Sequence, residues 1–235
     1  MAIVPPAAPE VADSTPVADP GPDSAAIKAR VLAHRVSSLD ELRAVVGQAH
    51  PEIINKHTAW LTPSIREFIA AAPFFALASS DARGNCDVTP RGDAKSVIQI
   101  IDDETIVIPD RLGNKRVDTF RNILENPHVG LLFFIPGVEE ALRINGRATI
   151  TTDPEILATM ALQGKAPNLG IVVEIDEVFV HCARAMLRAR LWKPETWPDD
   201  DTIPTLAQIW NEQKNLPPPD ESAGKRQEAY REVLY

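Results

Sequence analysis

The sequence predicts a mainly β fold, a closed antiparallel barrel with short helices at its flanks. Three observations lead there. Between residues 73 and 182, six or seven short β-prone runs recur with turn residues between them, the texture of successive hairpins. The βαβ rhythm of a doubly wound parallel sheet is absent. A β protein of this size must also manage its sheet edges, and closure removes them.

The elements follow in order. Residues 1–24 are rich in Pro and Ala, with scattered acids and no hydrophobic period, and are expected to be disordered. Residues 25–72 are expected to hold helices. Ser38-Leu39-Asp40-Glu41 matches a capping box and Gly47 is a plausible stop. Thr62-Pro63 opens a second helix, whose Ile65, Phe68, Ile69 and Ala72 share one face. The barrel is assigned to residues 73–198. Strands are expected at 74–79, 86–89, 96–101, 105–108, 129–135, 141–151 and 171–182, with helices at 117–125 and from Asp153-Pro154 to about Leu162. Residues 199–235 form a C-terminal helical extension that ends in an amphipathic helix through 229–234. No internal repeat is found.

Composition narrows the functional classes. The formal net charge of -9 argues against a general nucleic-acid binder, which carries a basic face. No apolar run approaches the ~20 residues of a membrane helix. The N-terminal stretch lacks the basic start and apolar centre of a secretory signal. The two cysteines, Cys86 and Cys182, are far apart and are read as small packing residues; a reducing, cytoplasmic compartment is expected. The five histidines, at 34, 50, 57, 128 and 181, show no metal-ligand spacing, so no metal site is expected.

Three segments concentrate the chemistry. The first is Thr89-Pro90-Arg91-Gly92-Asp93, where Pro90 is expected to bend the chain out of its strand. An Arg91–Asp93 pair there is either structural or holds Arg91 towards a ligand. The second is Ile108-Pro109-Asp110-Arg111-Leu112-Gly113-Asn114-Lys115-Arg116, a strand end, a turn and a helix start. Lys115 and Arg116 fall in the predicted first turn, where the helix dipole disfavours cations. Either the turn is simply solvated, or an anion binds there to backbone N–H groups and both side chains. The third is Leu142-Arg143-Ile144-Asn145-Gly146-Arg147, whose two arginines share one strand face, towards either solvent or a ligand or interface.

Taken together, these segments resemble the flavin-binding split barrels of the pyridoxamine 5′-phosphate oxidase-like family, in particular its branch of related FMN-binding proteins. The likeness rests on Phe74-Phe75, Asp87-Val88-Thr89-Pro90-Arg91-Gly92-Asp93, Ile108-Pro109-Asp110-Arg111 with Gly113-Asn114, Asn122-Ile123-Leu124 with Asn126-Pro127, residues 132–137 and 142–147, His181-Cys182 and Leu191-Trp192-Lys193-Pro194. It spans roughly residues 62–198, and its order and spacing make it specific.

The resemblance implies a six-stranded antiparallel split barrel that forms a homodimer with FMN at the interface. It implies that Thr89, Pro90, Arg91, Gly92 and Asp93 lie along the flavin ring, that Pro109, Asp110 and Arg111 contact it, and that Asn114, Lys115 and Arg116 take the phosphate. Arg143 and Trp192 would reach the flavin from the later strand and the closing segment. The family's closing Arg-Leu-His-Asp-Arg-like run is replaced by Arg190-Leu191-Trp192-Lys193-Pro194, so vitamin B6 oxidation does not carry over. The function implied is an FMN-dependent oxidoreductase on an unidentified small substrate, with NAD(P)H as a candidate electron donor. The alternatives are a flavin carrier or sensor without turnover, and a barrel using a deazaflavin or, less readily, haem. No nucleic acid or membrane partner is expected.

Overall fold

Alternation of apolar side chains dictates the central sheet. In β1 (Phe74–Ser80), Phe75, Leu77 and Ser79 point inward and are buried, while Phe74, Ala76 and Ala78 face out. A slip of one residue would send that apolar set to the other face, so the register is strongly specified. The computed structural model describes residues 22–94, 96, 98–199 and 202–218. The expected tail at 1–24, apart from its last three residues, and the expected helix through 229–234 lie outside these. The chain divides into two units, residues 1–51 with 204–223, and residues 52–203 with 224–235.

The first unit contains three described helices, α1 (Pro22–Ala33), α2 (Leu39–Val46) and α8 (Leu206–Gln213). The expected cap of α2 is present. The Ser38 side chain accepts from the Glu41 N–H, although Glu41 reaches back to the N–H of Ser37 rather than of Ser38. Gly47 ends the helix at φ 75°, a conformation that glycine adopts at little cost. Thr205 and Gln208 form a reciprocal capping box on α8.

The second unit carries the sheet. It comprises β1, β2 (Cys86–Gly92), β3 (Gln99–Ile100), β4 (Thr105–Pro109), β5 (His128–Phe134), β6 (Ala141–Thr151) and β7 (Gly170–His181), in the order β2-β1-β5-β6-β7-β4-β3. Every pairing is antiparallel. All seven expected strands are present, one more than the six that the family resemblance implies, and the strand expected over 96–101 is shortened to the two-residue β3. No pairing joins β2 to β3 among the described residues, so the sheet stays open there instead of closing fully. The expected bend at Pro90 is absent as well. Arg91 pairs with Phe75 and Gly92 with Phe74. Pro90 is tolerated because β2 is an edge strand, where a missing N–H leaves no ladder bond unmade.

The core lies on the inner face of this sheet. Leu77, Leu131, Phe133, Leu142, Ile144, Val173 and Ile106 fill it, and α4 (Pro63–Ala71) and α5 (Asp118–Glu125) cover it with Phe68, Ile69, Phe120 and Ile123. Thr62 caps α4 as its sequence predicts. In β4 the alternation disappears, because α6 (Pro154–Thr159) packs Leu157 against Val107 from the opposite side. Where β6 meets β7 the register shifts between Asn145 and Gly146. A methyl group on Gly146 would strike the Glu174 carbonyl oxygen, so glycine is required there. A short helix α3 (Pro51–Ile54) precedes the sheet, and α7 (Arg184–Ala189) follows it.

Asp81 organises the β1–β2 turn. Its carboxylate accepts from the N–H groups of Arg83 and Asn85 and from the side chains of both. These bonds, chiefly those of Asn85, lower its pKa from 3.8 to about 2. A carboxylate with a depressed folded-state pKa contributes stability above its unfolded value, and that contribution is lost as the pH falls through the folded value. Acid titration of folding should therefore show stability falling between about pH 4 and about pH 2, and Asp81→Asn should flatten that portion of the curve. A variant that keeps the full acid dependence would contradict this role.

Candidate functional site

The ends of β2 and β4 meet at one edge of the unit, and two ion pairs join them crosswise. Arg91 of β2 pairs with Asp110 after β4, Nη1 to Oδ1 at 3.2 Å. Arg111 pairs with Asp93, Nε to Oδ2 at 3.1 Å. The local Arg91–Asp93 pair expected from the sequence does not form. In an extended chain the residues two apart share a face, but Asp93 lies past the end of β2 and turns towards Arg111 instead.

These pairs bound a cavity of about 960 Å³, within the range of small-molecule sites. All eleven expected residues from the first two segments line it: Thr89 to Asp93, Pro109 to Arg111, and Asn114 to Arg116. Arg143 and Trp192 do not. Arg143 pairs with Glu177 at 3.2 Å, and the Trp192 indole N–H donates to the Val138 carbonyl at 2.8 Å. Arg147 shares the outward face of β6 with Arg143, as expected, and meets Asp176 at 3.5 Å.

The two guanidinium groups of the crossed ion pairs differ in what they can still do. Arg111 spends its Nε on Asp93 and its Nη2 on the Met160 carbonyl at 3.1 Å. It therefore holds the wall in place. The Nε of Arg91 is buried without a partner. An unsatisfied donor of this kind costs about 1–3 kcal/mol, which a ligand acceptor would recover.

Lys115 and Arg116 sit ahead of α5 and not in its first turn. Lys115 has φ 60° and Val117 φ 55°, which a right-handed helix cannot hold. The Asn114 side chain accepts from the Arg116 N–H at 3.0 Å and fixes the turn. Arg116 then reaches Asp118 at 2.7 Å, and this hydrogen bond and charge raise its pKa further. The dipole conflict inferred from the sequence is thus relieved partly by an acid within the helix. Lys115 enters no such ion pair among the described residues.

A further wall was not legible beforehand. Leu162, Lys165, Ala166, Pro167 and Asn168 line the cavity from the α6–β7 connection. Gln163 and Gly164, at φ 50° and 75°, make a tight turn closed by paired Leu162 and Lys165 backbone bonds of 3.0 and 2.9 Å. The helix expected to reach Leu162 stops at Thr159 for that reason. The Gln-Gly pair was the available turn signal, but nothing local ties it to Arg111. With Lys165 included, the described lining holds five cations, Arg91, Arg111, Lys115, Arg116 and Lys165, against the carboxylates of Asp93, Asp110 and Asp118. In a chain of net charge -9 this is a local reversal of sign. The cysteines, by contrast, are both exposed rather than packed, because each sits where a strand meets a turn.

Asp93 is only 6% exposed at its side chain. Removing its partner would strand a buried charge, so Arg111→Ala should lower stability by on the order of 3 kcal/mol. Urea unfolding of the cofactor-free protein measures this, and an unchanged midpoint would show that Arg111 does not hold the wall.

A pyridoxamine 5′-phosphate oxidase family model matches residues 61–182. No curated protein matches the chain. Among solved structures, similarity extends to a candidate pyridoxamine 5′-phosphate oxidase from Lactobacillus delbrueckii, with 22% identity, TM-score 0.43, and coverage of 52% of this chain and 95% of that one. The HupZ protein of Group A Streptococcus is similar at 18% identity and TM-score 0.42, covering 52% and 99%. An FMN-binding protein from Syntrophomonas wolfei is similar at 16% identity and TM-score 0.40, covering 50% and 83%. The matched span runs from the residue before Thr62 at the cap of α4 to the end of β7 and contains the whole sheet and every residue that lines the cavity, and on that match the chain belongs to the pyridoxamine 5′-phosphate oxidase family.

Proposed function

We propose that this chain is an FMN-binding flavoprotein and that, as a homodimer, it is an FMN-dependent oxidoreductase acting on a small substrate. The observation that carries this reading is the cation-rich cavity, with the partnerless Arg91 Nε in its wall, in an otherwise acidic chain. Phosphate is the anionic end of FMN. The turn at Gly113 to Arg116 offers it Lys115, Arg116 and a backbone held open by left-handed geometry. Arg91 would donate to the ring system, with Thr89, Pro90 and Gly92 beside it and Pro109 and Asp110 opposite. FMN, when bound, supplies the electron chemistry, while the protein binds, orients and adjusts its charge. A guanidinium beside the flavin favours its negatively charged form. Arg111 and Asp93 act as the rigid frame.

The homodimer is supported by the outer face of the sheet. Phe74 and Val88 are exposed there, beside Ala76, Ala78, Leu132 and Phe134. An apolar face of this kind suits a partner. A second copy is the occupant that would also bring Arg143 and Trp192, which lie outside their own cavity, to a flavin. Both cysteines are free, in keeping with a cytoplasmic setting, and among the described residues no helix is long and apolar enough to cross a membrane.

Calorimetric titration tests the phosphate assignment. Replacing Lys115 and Arg116 together with Ala should weaken FMN binding by about 3 kcal/mol, roughly two orders of magnitude in affinity, with little effect on folding. Unchanged affinity would remove the turn from the site. The same holoprotein separates turnover from storage: an oxidoreductase bleaches under NADH or NADPH without oxygen, whereas a carrier stays yellow with every donor.

A further inference from the structure

A second group of cations lies away from the cavity, on the outer face of β6 and β7. Its centre is the ring of Phe179. The Arg143 guanidinium lies over that ring at 4.3 Å, the Lys56 ammonium at 4.7 Å, and the His181 ring centre is 5.1 Å away. One carboxylate belongs to the group, Glu177, and a single oxygen of it accepts from both Arg143 and Asn145. Lys56 donates to the Val180 carbonyl at 2.9 Å and forms no ion pair among the described residues. The Nε of Arg143 is buried and has no partner.

Two cations on one aromatic ring attract the ring but repel each other. Glu177 neutralises one of them. The other acids on this face, Glu174 and Asp176, lie against Arg147, so Lys56 is left without a carboxylate among the described residues. An anion would satisfy the surplus: it would accept from the remaining Lys56 protons and from His181, and it would relieve the Lys56–Arg143 repulsion.

We propose that Lys56, Arg143 and His181, arranged around Phe179, form a second anion site that takes a carboxylate or phosphate group of a small substrate. The anion chemistry rests on this chain alone. Its assignment to the substrate rests on the homodimer reading, which brings Arg143 to a flavin held by the other copy. Neither Lys56 nor His181 belongs to the segments that line the cavity.

Protonation supplies a signature. His181 is held below its ordinary pKa by burial, by Arg143 on β6 and by Lys56 on the segment after α3; the acids on the same face of β7 are Glu177, which Arg143 holds, and Asp176 and Glu174, which lie against Arg147. A bound anion offsets the two cations and favours the imidazolium, so binding takes up a proton and tightens as the pH falls.

The probe is sulfate, which keeps its charge across the range used. It is titrated by calorimetry into FMN-saturated protein, with sedimentation run in parallel to read the oligomeric state. The expected result is saturable binding that is tighter at about pH 5.5 than at about pH 7.5. Lys56→Ala and His181→Ala should each weaken it about tenfold or more, Lys56→Arg should retain it, and His181→Ala should lose the pH dependence. Absence of sulfate binding, or equal binding by the wild type and both alanine variants, overturns the proposal, whatever the oligomeric state. The expected pattern in a protein that sediments as a monomer upholds the anion site and refutes the homodimer. A dimer whose sulfate binding ignores Lys56 and His181 does the reverse.

Discussion

The crossed pairing of Arg91 with Asp110 and of Arg111 with Asp93 is the constraint on which the site depends. β2 and β4 are far apart in the order of the sheet, one at an edge and the other next to the opposite edge. No ladder of backbone hydrogen bonds joins them. The two ion pairs do so at one end, and the gap they span becomes the cavity. Partly buried pairs of this kind are poor sources of net stability but are costly to break singly where one partner, as Asp93 here, is buried. Their value here is positional. Arg111 also ties down the Met160 carbonyl, so one side chain fixes three parts of the wall.

That arrangement explains which parts of the molecule could be read from the sequence. Periodicity and caps placed α2, α4, α5, β1, β4, β5, β6 and β7 to within a few residues, because each has an apolar face or a side-chain cap that acts locally. Ser38 and Thr62 cap the helices their positions suggested. Pro90 misled, because its effect depends on whether a strand is central or at an edge, and that is a property of the whole sheet. The same holds for Arg91 and Asp93. Their spacing suggested a local pair, but each finds its partner 18 or 19 residues away.

The turn proposed to take the phosphate shows a different kind of limit. The sequence pointed to Gly113 to Arg116 through an electrostatic conflict at a helix start. These residues do line the cavity, but the conflict is smaller than supposed: left-handed residues at Lys115 and Val117 delay the helix, and Asp118 answers Arg116. The Lys165 wall had no comparable local signal. Outside the cavity, Arg143 was picked out as a flavin contact and is found over the Phe179 ring; His181 was picked out only within the family likeness, and Lys56, which shares that ring, was not. Lys56 is more than a hundred residues from Val180, to which it is bonded, and no local pattern could have joined them.

FMN in the cation-rich cavity is tested most directly by the absorption spectrum of the protein purified without added cofactor, followed by release of any chromophore and measurement of its mass. The expected result is the paired visible bands of an oxidised flavin and a released mass matching FMN. A colourless protein that also fails to take up added FMN, or a chromophore of another mass, would contradict it.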